Sequence, residues 1–180
     1  LMVGRFERAT SYYQQAAHLC HEIGDRMGEA AALDNIACIA THLAHHEEAR
    51  AYYEQTLDIY REIGDQLNEA TVLVNLGELA RLSGDFSAAL AHYQHSLRGF
   101  RAVGARGGEA IALVNLGMFL GYLGAYERAE AHCKQSLRIR REGGDRRGEA
   151  IVLAALGLLS HYRGQDEAAL TYCRQAFAIA

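Results

Sequence analysis

The sequence predicts an all-α fold, an α-solenoid of nine antiparallel helices, and three observations support this prediction. A short phrase recurs every 40 residues, as Gly28-Glu29-Ala30, Asn68-Glu69-Ala70, Gly108-Glu109-Ala110 and Gly148-Glu149-Ala150. Apolar residues recur at helical spacing within each interval, and glycines separate the helical stretches. A fixed period of this length is typical of stacked repeats, in which each unit buries its apolar face against its neighbours.

The first helix of each repeat is predicted from a stripe of apolar residues. In the repeat that begins at Gly108, the stripe comprises Ile111, Val114, Leu116, Leu120 and Leu123. Most of these residues are three or four positions apart, which places their side chains along one side of a helix. Gly124-Ala125 then interrupts the pattern, which indicates the turn to the second helix.

The second helix is predicted to run from about Tyr126 to Glu142. Ala129, Cys133, Leu137 and Arg140 recur along it at spacings of four, four and three residues, which is helical spacing. Gly143-Gly144 ends this helix, because glycine adopts the left-handed conformation that a helix C-terminus requires. Asp145 is a good N-cap for the next helix. Gly24-Asp25 and Gly64-Asp65 repeat this pair, whereas Gly104-Ala105 keeps only the glycine.

Small residues recur inside both helices. The first helices carry Ala37, Gly77, Gly117 and Gly157, and the second carry Ala9, Ala49, Ala89, Ala129 and Ala169. A glycine inside a helix costs about 1 kcal/mol relative to alanine. Its recurrence in register therefore predicts a neighbouring helix that packs too closely for a larger side chain.

The repeat boundaries predict one array over residues 1–180. It comprises a half repeat at 1–24, full repeats at 25–64, 65–104 and 105–144, and a last, truncated repeat at 145–180. Neither end shows the polar outer face of a capping repeat. We therefore expect the chain to be an excerpt from a longer array.

The residues of the third full repeat resemble a known family. Leu113-Val-Asn-Leu-Gly117, Gly124-Ala-Tyr126, Ala129 and Ser136-Leu137 look like a tetratricopeptide repeat of the long, 40-residue variety. Such repeats are similar to those of kinesin light chains, Leu-Gly-Asn-repeat proteins and the sensor arms of bacterial signalling ATPases and transcription regulators. The resemblance implies a right-handed superhelix whose first helices line a concave groove that holds a peptide or a partner helix.

Matching the sequence to the family pattern places candidate binding residues on that concave face. They are Asp34, Asn35, Val74, Asn75, Glu78, Arg81, Val114, Asn115, Met118, Tyr122, Ile151, Leu158 and Tyr162. The early part of this face is polar and the later part is apolar. An apolar strip rimmed by tyrosines suits an amphipathic helix or a hydrophobic peptide. The alternative is that some of these side chains pack between adjacent repeats.

One asparagine per repeat, at Asn35, Asn75 and Asn115, forms a ladder in the sequence. An amide donates and accepts together, so each asparagine is able to pair with the backbone of an extended peptide. The alternative is that the asparagine bonds to a neighbouring helix and shapes the superhelix. Both interpretations remain open at this stage.

The function predicted from these features is a protein- or peptide-binding scaffold, the regulatory arm of a larger bacterial signalling protein. The bacterial source is suggested by Lys134, the only lysine beside 17 arginines. The alternative is a structural segment that self-associates head to tail through its ends. Charges of −8 over residues 1–90 and +4 over 91–180 favour such contacts.

The composition and the sequence motifs argue against several other kinds of function. A net charge of −4 and a pI near 6.1 argue against nucleic acid as a partner. No apolar run spans a membrane, so we expect a cytoplasmic chain without membrane contact. Four cysteines and nine histidines show no metal-ligand spacing, and no catalytic motif occurs. No cofactor, metal site or enzyme activity is predicted.

A run of arginines surrounds the Gly143-Gly144 turn. It comprises Arg138, Arg140, Arg141, Arg146 and Arg147. Such a run is able to meet an acidic partner or a phosphate, or it is a solvated helix face.

Overall fold

The computed structural model describes residues 3–179, and in this range the chain forms nine α-helices. The helices are α1 (Val3–Ile23), α2 (Arg26–His42), α3 (His46–Ile63), α4 (Gln66–Leu82), α5 (Phe86–Ala102), α6 (Arg106–Tyr122), α7 (Tyr126–Glu142), α8 (Arg146–Tyr162) and α9 (Asp166–Phe177). The predicted all-α solenoid is confirmed, and α7 begins and ends at the predicted residues.

The chain divides into two compact units, Leu1–Gly99 and Phe100–Ala180, with the boundary inside α5. In the first unit, α1, α2, α3 and α4 pack in chain order and α2 also contacts α4. In the second unit, α6, α7, α8 and α9 pack in the same way and α6 contacts α8. Contact between successive first helices is the arrangement expected of stacked helix pairs.

Aspartates cap three of the first helices, as predicted. Asp25 accepts a hydrogen bond from the Gly28 amide at 2.9 Å, and Asp145 accepts one from Gly148 at 2.8 Å. Asp65 does the same for α4. α6 begins after Ala105, which offers no side-chain oxygen to cap it.

The turns between first and second helices share one left-handed position. Gly84, Gly124 and Gly164 occupy it with φ between 70° and 80°. The first repeat has Ala44 there, with φ 59°, the one non-glycine residue with positive φ in the described chain. The alanine Cβ is strained in this conformation, so this turn is less relaxed than its counterparts.

The mid-helix glycines lie against the second helices, which confirms the predicted close packing. A Cβ on Gly117 would lie 2.7 Å from Cys133 Sγ and 3.0 Å from the carbonyl oxygen of Ala129. A Cβ on Gly77 would lie 2.8 Å from the ring of Tyr93. Cys133 is fully buried, and this burial raises the pKa of its thiol to about 12. The thiol is therefore protonated at neutral pH and inert toward electrophiles.

The glutamate of the recurring phrase has a structural role. Glu109, only 5% exposed, accepts hydrogen bonds from Arg101 and Arg106, each at 2.9 Å. Glu149 is bound in the same way by Arg141 at 2.7 Å and by Arg146 at 3.0 Å. Each glutamate thus ties the last turn of one helix to the first turn of the next.

Replacing Gly117 by alanine is expected to destabilise the protein by about 1–3 kcal/mol, because the Ala129 backbone leaves no room for a methyl group. Gly107→Ala is the matched control in α6, since nothing lies within 4 Å of a Cβ there. That control should gain up to about 1 kcal/mol from its better helix propensity. Urea unfolding measures both values. Equal effects of the two changes would contradict the close packing.

Candidate partner-binding site

In the first unit, two of the predicted asparagines make hydrogen bonds within the chain. Asn75 Nδ2 donates to Asp34 Oδ1 across α4 and α2, with the two atoms 3.4 Å apart. Asn35 Nδ2 donates to the carbonyl oxygen of Ala31, one turn earlier in its own helix, at 2.8 Å. Burial raises the pKa of Asp34, and the hydrogen bond from Asn75 opposes this rise. Each amide keeps its carbonyl oxygen and one N–H for other partners.

Glu78 and Arg81 form a closed ionic group on α4. Two nitrogens of the Arg81 guanidinium group, Nε and Nη2, donate to the Glu78 carboxylate, at 2.9 and 2.5 Å. The Tyr93 hydroxyl of α5 donates to the same carboxylate at 3.0 Å. Arg81 first, and then Tyr93, hold the pKa of Glu78 below its usual value against the opposing effect of burial. Glu78 is therefore a fixed anion whose charge is already balanced.

Two tyrosines of the second helices donate hydrogen bonds to side chains of the first helices, and the sequence pattern does not reveal these contacts. Tyr53 donates to Cys38 Sγ at 3.3 Å, and Tyr93 donates to Glu78. Cys38 and Glu78 are equivalent positions of two successive repeats. The recurrence of tyrosine at 53 and 93 was the available signal, but its direction depended on how the two helices pack.

In the second unit, apolar side chains of α6 and α8 form an exposed surface, which we call the α6/α8 strip. Its members are Ile111, Met118, Tyr122, Ile151, Leu158 and Tyr162. Tyr122 and Tyr162 are 63% and 58% exposed, and Ile151 is 57% exposed. Met118 is half-buried, and Leu158 is 39% exposed. Because α6 and α8 are in contact, these side chains belong to neighbouring helices.

Two other predicted residues of α6 are less accessible. Val114 is only 8% exposed, so its side chain takes part in packing within the unit. Asn115, the next residue in the sequence, is half-buried. A continuous ladder from Asn35 through Asn75 to Asn115 stays a prediction, because the three residues belong to two separately described units.

Within residues 3–179, no cluster of three or more His, Cys, Asp or Glu side chains is placed to hold a metal ion. Among the described helices, none combines the length and the apolar character that crossing a membrane requires.

Comparisons with known proteins agree with this architecture. The profile of the tetratricopeptide repeat family matches residues 1–62, 46–102 and 108–180. No curated protein matches the sequence. Among solved structures, BtubC (BKLC) from P. vanneervenii is 22% identical with a TM-score of 0.85, and the match covers 99% of this chain and 74% of that one.

Two further structures share the fold. The apo form of RapI is 20% identical with a TM-score of 0.83, over 98% of this chain and 49% of that one. A putative kinesin light chain from Podospora anserina with nearly identical repeats is 14% identical with a TM-score of 0.74, over 99% and 88% of the two chains. Identities this low establish the fold alone.

The hydrogen bonds to Glu78 predict that the pKa of its carboxyl group changes when one of the donors is removed. Replacing Tyr93 by phenylalanine removes a hydrogen bond to the carboxylate, so the pKa of Glu78 should rise toward 4.5. Carbon-13 NMR titration of the Glu78 carboxyl group measures this shift. Tyr53→Phe, which alters the equivalent tyrosine bound to Cys38, is the matched control and should leave the value unchanged.

The sign of the stability effect follows from the same shift. The folded-state pKa of Glu78 lies below the unfolded value, so its contribution is present above pH 4.5 and is lost as the pH falls through the folded pKa. Tyr93→Phe should therefore flatten this part of the acid unfolding profile. A Glu78 pKa that is identical in the parent and in Tyr93→Phe would contradict the assignment.

Proposed function

Because the chain belongs to the tetratricopeptide repeat family, whose members are in general protein-interaction scaffolds, we propose that it captures a peptide or helix of a partner protein on its first helices. The α6/α8 strip is the principal contact in this proposal. Asn115 of α6 contributes a hydrogen bond to the backbone of the bound segment.

The observation that carries the proposal is the exposure of apolar side chains on two neighbouring helices. Single exposed apolar residues are normal, but adjoining ones mark interaction surfaces. Tyr122 and Tyr162 strengthen this argument, because tyrosine combines a large contact area with a polar hydroxyl and is enriched at binding hot spots.

The chemistry of the strip favours a partner that supplies apolar side chains at helical spacing. An amphipathic helix places its apolar face in such a surface and leaves its polar face in water. The asparagines are secondary here, because Asn75 already shares its amide with Asp34. A clamp that depended only on backbone hydrogen bonds would use groups that are partly engaged within the chain.

The array is further proposed to be the regulatory arm of a larger bacterial signalling protein. It spans 74% of BtubC and 49% of RapI, so comparable helices occur in longer chains. This supports a role as one part of a larger molecule.

Peptide display against the purified chain tests the α6/α8 strip. Selected peptides should bind the parent and lose at least about tenfold in affinity to an Ile151→Glu/Leu158→Glu variant, because burying one apolar side chain contributes about 1.5–3 kcal/mol. Leu170→Glu on α9, where the leucine is 56% exposed and lies outside the strip, is the control. Peptides that bind the parent and the double variant equally would contradict peptide binding at the α6/α8 strip.

A second candidate function, self-association, is favoured by α9. Phe177 is 86% exposed, whereas Leu57, Leu97 and Leu137 at the equivalent positions are only 6–7% exposed. Leu170 on the same helix is 56% exposed. Two copies that meet through α9 would remove this apolar area from water.

Sedimentation over a range of concentrations tests self-association. The parent should gain mass as its concentration rises, and Phe177→Glu should remain a monomer because a carboxylate resists burial. Tyr122→Glu on α6, another strongly exposed aromatic residue and one that lies away from both ends of the array, is the control that should still associate. One monomer mass at every concentration would eliminate this function.

A further inference from the structure

The second helices of the second unit enclose a cleft that the proposed function does not use. The cleft lies between α7 and α9, has a volume of about 520 Å³, and is lined by Lys134, Leu137, Arg138, Arg141, Glu142, Tyr172 and Gln175. The equivalent cleft in the first unit, between α3 and α5, has a volume of about 310 Å³. The α7/α9 cleft is therefore the roomier of the two.

Three cations form one wall of this cleft. Lys134, Arg138 and Arg141 are separated by four and three residues, so they lie along one side of α7. The equivalent residues of α3 are Glu54, Asp58 and Arg61, which leave that helix with a net negative charge on this side. α5 has Gln94, Arg98 and Arg101 at these positions, so two of the cations recur there and the full set of three occurs on α7.

The carboxylates around the cleft balance only part of its cationic charge. Glu130 is shared by Lys134 at 2.6 Å and Arg163 at 2.7 Å, and Arg163 also pairs with Glu127 at 3.3 Å, so this group is balanced. Glu149 is shared by Arg141 at 2.7 Å and Arg146 at 3.0 Å, which leaves one positive charge unbalanced.

Two further charged residues at the cleft are Arg138 and Glu142. The Glu142 carboxylate, at one end of the cleft, pairs with Arg106 at 3.0 Å. Arg138 is exposed and has no ion pair with any residue in the described part of the chain. The surplus positive charge at the cleft is thus centred on Arg138.

The remaining surfaces of the cleft are apolar and aromatic. Leu137 lies between the cations in the sequence and is almost buried, and half-buried Tyr172 faces the cleft from α9. A ligand that satisfies both surfaces needs carboxylates for the basic wall and an apolar group for Leu137 and Tyr172.

We propose that the α7/α9 cleft is a second docking site, which takes an acidic segment of a partner protein. An apolar side chain of the segment packs on Leu137 and Tyr172, and the flanking carboxylates pair with Arg138 and Lys134. A nucleic acid fits less well, because three cations contact few phosphates and the whole chain carries a net charge of −4. The site lies on second helices, so its occupation is independent of the α6/α8 strip.

Fluorescence anisotropy with a labelled peptide of alternating glutamate and leucine, titrated with the full chain, tests this site. Arg138→Glu should weaken binding at least about fivefold, since it replaces an attraction by a repulsion. Tyr172→Ala should weaken it as well. Binding should decline as salt rises from about 0.01 to about 0.1 M, because the screening length falls from about 30 to about 10 Å.

Arg98→Glu is the matched control for Arg138→Glu. It makes the same charge change at the same repeat position of α5, so it should keep the parent affinity. The Ile151→Glu/Leu158→Glu variant should also keep it, which separates this site from the α6/α8 strip. Circular dichroism verifies helicity, and Arg138→Gln replaces Arg138→Glu if the latter fails to fold.

Three outcomes would overturn the proposal. Equal loss in Arg98→Glu and Arg138→Glu would show that the peptide responds only to overall charge. Unchanged binding by Arg138→Glu would place the peptide elsewhere. Tighter binding of a single-stranded oligonucleotide than of the peptide, lost in Arg138→Glu, would identify a nucleic acid as the occupant.

Discussion

The close approach of each first helix to its second helix is the constraint on which the rest of the structure depends. Gly117 lies against the Ala129 carbonyl oxygen and Cys133 Sγ, at distances that leave no room for a Cβ. Helices that pack this closely exclude water and bury the residues between them, and interiors at this density tolerate little change in volume. The register of the repeat follows from this contact, because a small residue must recur where the helices meet.

The recurring phrase contributes a second, electrostatic part of the same framework. Glu109 and Glu149 are almost buried, and each is held by two arginines from adjoining helix ends. A buried carboxylate is stable only when its hydrogen bonds are satisfied, so glutamate and arginine must recur together. These residues are therefore engaged in the fold, and partner recognition is left to positions that point away from it.

Two such surfaces are proposed for the second unit, and they differ in chemistry. The α6/α8 strip offers apolar and aromatic side chains from first helices, whereas the α7/α9 cleft offers cations around an apolar floor on second helices. The same helical repeat generates both, because residues three and four positions apart line up on whichever side of a helix remains uncovered. A scaffold that holds two different segments would use both surfaces together.

The sequence by itself determined the helices, their caps and their close packing, because these depend on neighbours within a few residues or on a repeated register. It also indicated the surface position of Tyr122 and Tyr162, which the helical period places away from the buried stripe, whereas Ile111, which the pattern assigned to that stripe, is exposed. Only the tertiary structure decided that Val114 is buried, that Asn75 bonds to Asp34, and that Tyr93 reaches Glu78. Those contacts join residues on different helices, and their existence depends on interhelical distances and side-chain directions that the repeat pattern does not contain.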